Sequence, residues 1–161
     1  RSFNLMKLNI LAIGRAKPSP ETELVTSWMN RLPYGGNLLA FESSLPSGVK
    51  RQADESGKIT DWLDRNAPSH HRLVCLDPQG QDTSSEALAK LIGTWRDEGV
   101  AGCYFAIGGA DGHHHSLQKR ASKMIAFGRA TWPHMLCRVM LAEQLYRAEM
   151  ILKNHPYHRG N

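Results

Sequence analysis

The residues His155-Pro156-Tyr157-His158-Arg159 bring two imidazoles, a phenol and a guanidinium together near the end of the chain. Histidine exchanges a proton near neutral pH, tyrosine stacks on nucleobases, and arginine forms forked hydrogen bonds to phosphate. These residue types suit proton transfer on a nucleic-acid substrate. Chain ends are commonly frayed and without function, so the residue types alone leave both interpretations open.

A second candidate is the glycine-rich sequence IGGADG at residues 107–112. Glycine permits positive φ and lets a flat or phosphorylated ligand lie against the backbone. The spacing matches neither the dinucleotide pattern G-x-G-x-x-G nor the phosphate loop G-x-x-x-x-G-K-[ST], so an NAD or ATP site is not favoured. An ordinary strand-to-helix turn remains the alternative to a ligand-binding loop.

The histidines and cysteines form no metal-binding motif. Adjacent residues rarely converge on one ion, so we expect the run 113–115 to lie in a solvent-facing loop and to bind no metal. The odd number of cysteines argues against a disulfide framework and indicates a reducing, cytoplasmic compartment. We expect Cys75, Cys103 and Cys137 to be packed in the core, where a thiol is inert.

The charge of the chain is unevenly distributed. The net charge is +5, but residues 1–116 carry 12 basic and 13 acidic side chains, whereas residues 117–161 carry eight basic and two acidic. A local basic excess favours a polyanionic partner, with nucleic acid first. A solvated helix face explains the same charges, and both interpretations stay open.

Alternating apolar runs and amphipathic segments predict strands over residues 6–14, 38–42, 72–76, 102–107 and 124–127 and helices over 21–32, 50–66, 84–98, 116–122 and 135–153. This alternation predicts one α/β domain with a mostly parallel sheet covered on both faces. Ligands of such sheets bind beyond the carboxyl ends of the strands. The loops 77–80, 108–112 and 127–133 are therefore the candidate binding loops.

The last predicted helix carries more apolar surface than one face requires. An apolar stripe runs along it at helical spacing, widened by three further side chains: Cys137, Leu141, Leu145, Ala148 and Leu152, with Leu136, Met140 and Ile151. Such a helix needs more of its own domain or a partner subunit on a second side. Glu143 and Arg147 are spaced to form an ion pair. Arg138 lies near the helix N-terminus, where the helix dipole disfavours a cation, which hints at another use.

The first residues of the chain and its apolar runs bear on processing and on membrane insertion. We expect residues 1–5, which precede Met6, to be a cloning remnant and residues 6–161 to form the single domain. No apolar run approaches the roughly 20 residues of a membrane span, and no signal peptide is visible.

Three segments resemble the ribosomal RNA large-subunit methyltransferase H family (RlmH), within the SPOUT methyltransferases. They are MKLNILAIG at 6–14, IGGADG at 107–112 and ATWPHMLCRVMLAEQLYRAEMILKNHPYHR at 130–159. The resemblance spans nearly all of residues 6–159 and is densest from residue 107 onward. The histidine run 113–115 and the extension 160–161 depart from the family pattern but touch no motif position.

The resemblance implies a fold, a reaction and partners. Such proteins have a small α/β domain with a C-terminal trefoil knot, and they act as cytoplasmic homodimers. They transfer a methyl group from S-adenosyl-L-methionine to N3 of a pseudouridine in helix 69 of 23S rRNA, on the assembled 70S ribosome. No membrane and no metal is expected.

Carried over position by position, the resemblance assigns cofactor binding to eight residues in or next to the candidate loops: Leu76, Gly108, Phe127, Gly128, Arg129, Ala130, Thr131 and Trp132. His158 would be the base or a proton shuttle, and Tyr157 would stack on or orient the target. Arg138 and Arg147 would steady the developing charge. Contacts to the RNA phosphates would come from Lys153, His155 and Arg159.

Three other functions remain possible at this point. A non-catalytic RNA-binding module would use the basic tail and have no affinity for S-adenosylmethionine. A SPOUT-like methyltransferase could act on tRNA, although a short chain without an added RNA-binding domain favours the ribosome. A nucleotide-binding α/β enzyme of another class is disfavoured by the missing phosphate-loop motifs.

Overall fold

The computed structural model describes residues 5–159. The elements in chain order are β1 (Lys7–Ile13), α1 (Pro20–Asn30), β2 (Leu38–Phe41), α2 (Val49–Asn66), β3 (His71–Asp82), α3 (Ser85–Asp97), β4 (Gly102–Ile107), α4 (His115–Arg120), β5 (Lys123–Ala126) and α5 (His134–Leu152). The expected cloning remnant lies outside the described residues except for Leu5, as does the extension 160–161.

The five strands form one sheet in the order β2-β1-β4-β3-β5, and every neighbouring pair is parallel. All six residues of the central strand β4 are buried, as expected for a parallel sheet covered on both faces. The predicted α/β class and the predicted alternation of strands and helices are confirmed.

Helices cover both faces of the sheet. On one face α1, α3 and α5 pack against apolar side chains of β1, β3, β4 and β5, and on the other α2 and α4 do so. Local signals start two of these helices: the hydroxyl of Ser19 accepts from Thr22 N at 3.2 Å, and that of Ser84 accepts from Ala87 N at 3.1 Å. Each hydroxyl satisfies a backbone donor that the first turn leaves free.

Strand β3 is longer than predicted. The predicted strand ended at Leu76 before a turn over 77–80, but β3 continues to Asp82 and pairs with β5 through a register shift between Leu76 and Gln81. Gly80 makes this pairing possible, because a Cβ there would lie 2.7 Å from the backbone N and C of Ile125. The turn prediction was wrong because pairing with β5 outweighed the local turn residues.

The last helix is anchored by a buried ion pair. Arg96 donates to both carboxylate oxygens of Glu149, at 2.7 and 3.0 Å, and to the carbonyl of Met6 at 2.8 Å. Leu141 and Leu145, in the middle of the predicted stripe, are fully buried, whereas Leu136 remains 40% exposed. α5 therefore completes the core and keeps an uncovered apolar edge near its start.

Two of the three cysteines are packed in the core, as predicted. Burial raises the pKa of the Cys75 thiol to about 12 and also raises that of Cys103. The prediction for Cys137 was wrong, since its side chain is half-buried at the edge of a cleft.

Within residues 5–159 no helix combines the length and apolarity needed to cross a membrane. The trefoil knot implied by the resemblance stays a prediction, because strand order alone does not establish how a chain threads.

Candidate active site

A cleft of about 500 Å³ lies at the carboxyl edge of the sheet. All eight residues that the resemblance assigned to cofactor binding line it: Leu76, Gly108, Phe127, Gly128, Arg129, Ala130, Thr131 and Trp132. They come from the ends of β3, β4 and β5, which are adjacent in the sheet or one strand apart. The parallel sheet thus brings together residues separated by up to 56 positions in the sequence.

The glycine loop forms a tight wall of the cleft. Gly112 has φ +75° and donates to the carbonyl of Gly109 at 3.0 Å, which closes the turn. A Cβ at Gly108 would lie 3.1 Å from the backbone of Gly112. Helix α2 holds the loop from behind, since Arg51 contacts the carboxylate of Asp111 at 2.8 Å. The loop is therefore preformed, with bare backbone facing the cleft.

Three cleft residues with imidazole or thiol side chains were not predicted to lie there: His113, His134 and Cys137. His113 is only 6% exposed, so the expected solvent-facing position was wrong for this residue of the histidine run. The positive φ of Gly112 turns the chain so that His113 lies against Gly108. In the sequence, His113 could have been placed in the cleft because it directly follows Gly112. His134 could have been placed there because it belongs to the T-W-P-H motif.

Arg138 lies in the interior and does not face the cleft. The side chain is 1% exposed, and its Nη2 donates to the carbonyls of Ile13 and Gly14 at 3.1 and 2.7 Å. Nε also donates to His134 Nε2 at 3.1 Å. Arg138 therefore packs against the end of β1 and positions His134, and its expected role in steadying the developing charge stays a prediction.

His134 is held in its neutral form. Burial and the neighbouring guanidinium of Arg138 lower its pKa. Because Nε2 accepts from Arg138, the proton of the neutral ring lies on Nδ1.

A second group of candidate side chains, the tail cluster, consists of Glu143, Arg147, Tyr157 and His158. The Tyr157 hydroxyl donates to Glu143 Oε2 at 2.6 Å, and Arg147 Nη2 donates to the same oxygen at 2.7 Å. The Arg147 guanidinium lies 4.8 Å from the centre of the Tyr157 ring. The predicted Glu143–Arg147 pair is confirmed, and it forms the base on which the tail rests.

The imidazole of His158 is oriented by two neighbours. Its Nδ1 lies 3.2 Å from Arg147 Nη1, which can only donate, so Nδ1 is the acceptor. Nε2 lies 3.3 Å from a carboxylate oxygen of Glu86, within ion-pair distance but without hydrogen-bond geometry.

Aromatic contacts fix Tyr157 as well. Its ring packs edge-on against Trp28 and Tyr146, with centroid distances of 6.0 and 5.0 Å. Desolvation and the hydrogen bond to Glu143 raise the Tyr157 pKa, so the phenol keeps its proton at neutral pH. Tyr157 and His158 are therefore packed against the domain and do not belong to a frayed chain end.

A groove of about 720 Å³ adjoins the cleft and includes Trp28 and Glu143 in its lining. Phe127, Gly128 and Met140 line both cavities. The groove therefore connects the cleft to the residues that contact Tyr157. The remaining basic residues of the tail are exposed: Lys153, His155 and Arg159.

Among residues 5–159, no group of three or more histidine, cysteine or acidic side chains is arranged to hold a metal ion.

Residues 6–158 match the family described as "Predicted SPOUT methyltransferase". A protein of Rhodospirillum centenum named Ribosomal RNA large subunit methyltransferase H is 46% identical over 157 residues, which cover 96% of this chain and 100% of that protein. The protein of the same name from Bradyrhizobium diazoefficiens is 42% identical over 164 residues, with coverages of 96% and 100%.

Two solved structures share the fold at low sequence identity. The SpoU methyltransferase AviRb from Streptomyces viridochromogenes, in complex with AdoMet, superposes with a TM-score of 0.54 at 10% identity. The match covers 91% of this chain, which spans 59% of the AviRb chain. A probable methylase family protein from Haemophilus influenzae Rd KW20 superposes with a TM-score of 0.52 at 10% identity, covering 96% of this chain and 71% of that one.

Proposed function

This chain belongs to the SPOUT methyltransferase family, and from that premise we propose that it methylates N3 of a pseudouridine in 23S rRNA with S-adenosylmethionine as donor. The observation that carries the proposal is the cleft itself, because all eight expected cofactor residues line one cavity, and the groove that adjoins it includes Glu143 of the tail cluster. The relatives named as large-subunit rRNA methyltransferases support the choice of substrate.

The residues of the cleft suit S-adenosylmethionine. Bare backbone at Gly108 and the apolar side chains of Leu76 and Phe127 fit a flat nucleoside, and the cleft volume is about 500 Å³. When bound, S-adenosylmethionine would supply an electrophilic methyl group on its sulfonium, with S-adenosylhomocysteine as the leaving group. The chain's own contribution is then to position the two reactants and to create the nucleophile.

Proton removal is the task assigned to the tail cluster. N3 of pseudouridine is an imide nitrogen that must lose its proton, and His158 is the residue that would accept it. In the described arrangement the lone pair on Nδ1 accepts from Arg147. His158 can therefore take a proton at Nδ1 only after Arg147 releases it, and an RNA phosphate is a suitable competing partner for that guanidinium.

The working unit in this proposal is a homodimer. Trp132 and Leu136 are 44% and 40% exposed beside the cleft, and the half-buried Val139 and Met140 continue the apolar surface along α5. A second copy would cover this edge and bring its tail towards the cleft. Light scattering should give twice the chain mass of 18.0 kDa, and Leu136→Glu should shift the mass towards the monomer and lower methyl transfer.

The proposed partner is the assembled 70S ribosome in the cytoplasm. The basic excess of residues 117–161 and the exposed Lys153, His155 and Arg159 provide phosphate contacts. Folded ribosomal RNA would supply further contacts.

Methyl transfer to defined RNAs tests the proposal. Labelled S-adenosylmethionine is incubated with the protein and either 70S ribosomes, free 23S rRNA or tRNA, and the modified nucleoside is identified by mass spectrometry. We expect N3-methylpseudouridine in 23S rRNA, most rapidly on ribosomes. Label in tRNA alone would favour the tRNA-modifying alternative, and RNA binding without cofactor binding would favour the non-catalytic module.

A further inference from the structure

His113 is a buried cleft residue that no part of the proposed reaction uses. It is 6% exposed, its ring lies beside Gly108, and its Nε2 is 3.2 Å from the carbonyl oxygen of Ala106 in β4. The ring also lines the cleft. A histidine in this position can present one ring nitrogen to a ligand while the other holds the ring in place.

The hydrogen bond to Ala106 determines which nitrogen carries the proton. A carbonyl oxygen only accepts, so Nε2 must donate. Burial lowers the pKa of His113, which keeps the ring neutral at physiological pH. Nδ1 then carries a lone pair and makes no hydrogen bond of standard geometry within residues 5–159, although the backbone carbonyl of Leu76 lies close enough to the ring to favour its protonated form. Nδ1 lies 3.3 Å from the place that a Cβ of Gly108 would occupy, at the glycine wall of the cleft.

The charged neighbour of His113 is already engaged. Asp77 in β3 is 7% exposed, and its two oxygens accept from Gln79 N and Gln118 Nε2, both at 2.9 Å. Its field favours the protonated imidazole, but desolvation of the ring is the larger effect. Nδ1 therefore offers a fixed, uncharged acceptor in the otherwise apolar surroundings of Leu76 and Ile107.

S-adenosylmethionine carries three kinds of donor that could meet this acceptor. The ammonium is a cation, for which the carboxylate of Asp77 in the same lining is a better partner than a neutral imidazole. The ribose hydroxyls donate or accept and would tolerate either partner. The exocyclic amine sits on a flat base that suits a wall of bare glycine backbone and aliphatic side chains.

Resting on the proposed function, we infer that His113 is a specificity-determining residue whose Nδ1 accepts a hydrogen bond from the exocyclic amine of the adenine. Hypoxanthine carries a carbonyl oxygen at that place, so two acceptors would face each other. A site built around one buried hydrogen bond rejects an analogue that cannot form it.

Calorimetry with two ligands tests the assignment by binding alone. S-adenosylhomocysteine and S-inosylhomocysteine are titrated into the wild type, His113→Leu, His113→Gln and His115→Leu. The wild type should bind the adenosyl ligand more tightly, and His113→Leu should reduce the ratio of the two dissociation constants about tenfold, mainly through weaker adenosyl binding. Glutamine offers a carbonyl acceptor and should restore part of the ratio. His115 is exposed, so His115→Leu is the matched control and should change neither constant.

The results for His113 can be told apart from a failure of the proposed methyltransferase function. Tight adenosyl binding with an unchanged ratio in both His113 variants would mean that His113 only supports β4, and the inference would fail while the proposed function stood. Absence of adenosyl binding in the wild type would overturn both. Should His113→Leu not fold, as judged by thermal unfolding, His113→Met takes its place beside His113→Gln: a ratio lower in His113→Met than in His113→Gln supports the acceptor, and equal ratios in the two variants contradict it.

Discussion

The cleft and the tail cluster are built by different means. The cleft is shaped by backbone: strand ends and glycines of a rigid parallel sheet form its walls, and helix α2 holds its glycine loop. The tail cluster is shaped by side chains on a helix surface, linked by the hydrogen bonds of Glu143 and Arg147. A fixed backbone suits binding of a constant cofactor, whereas ion-paired side chains can exchange partners when a charged substrate arrives. We therefore expect changes in the cleft to affect binding and changes in the tail to affect turnover.

Loss of the proposed base should have the largest effect. His158→Ala should lower single-turnover methyl transfer on ribosomes by about 10²- to 10⁴-fold, because general base catalysis contributes that much. The dissociation constant of S-adenosylhomocysteine should stay unchanged. The exposed His70 gives the matched control His70→Ala. Full single-turnover activity of His158→Ala would remove this residue from the reaction.

Adding a side chain at the glycine wall should weaken cofactor binding, which the loss of His158 should leave unchanged. Gly108→Val places side-chain atoms where a Cβ already meets Gly112 backbone at 3.1 Å, and it narrows the cleft. We expect about 100-fold weaker binding of S-adenosylhomocysteine, corresponding to about 3 kcal/mol of overpacking. Gly57→Ala is the control, since a Cβ there meets no atom within 4 Å. Unchanged affinity in a folded Gly108→Val protein would mean that the ligand binds elsewhere.

The reactivity of the Cys137 thiol should show whether a ligand occupies the cleft. Cys137 is half-buried, and burial raises its pKa, so it should react with iodoacetamide more slowly than an exposed thiol but faster than Cys75 or Cys103. S-adenosylhomocysteine at ten times its dissociation constant should slow the reaction about tenfold, in proportion to the free protein. Mass spectrometry of the alkylated peptide measures this, with Cys137→Ser as control. An alkylation rate of Cys137 that does not change when the ligand is added would mean that the ligand binds away from α5.

Removing one exposed tail charge should have the smallest effect. Arg159→Ala should weaken binding to ribosomes by about 1 kcal/mol and reduce the slope of log affinity against log salt by about one, as expected for one lost phosphate contact. The exposed Lys50 on α2 provides the control Lys50→Ala. An equal loss of ribosome affinity in both variants would indicate that binding depends on the net charge of the protein and not on the position of Arg159.

Local patterns were sufficient to predict the strands and helices but not the full length of β3. Its apolar core Arg72–Leu76 was evident, whereas Pro78 and Gly80 are typical of a turn. The continuation to Asp82 depends on pairing with β5, some 45 residues later in the sequence. Propensity cannot report such a contact, because tertiary pairing overrides it.

The same limit applies to the site. The resemblance proposed the eight cofactor residues, and the parallel sheet explains why these residues line one cleft. The buried position of Arg138 could not be predicted, because its partners, the carbonyls of Ile13 and Gly14, lie more than 120 residues away in the sequence. His113 was misjudged because a histidine run suggests solvent, while one positive φ at Gly112 turns a single member of the run inward.

A crystal structure of the protein with S-adenosylhomocysteine would locate the ligand and the tail together. We expect the ligand in the cleft of about 500 Å³, against Gly108 and the 127–132 loop, with a tail carrying His158 facing its sulfur. A ligand bound instead in the groove lined by Trp28 and Glu143, or a sulfur that no tail approaches, would contradict this expectation.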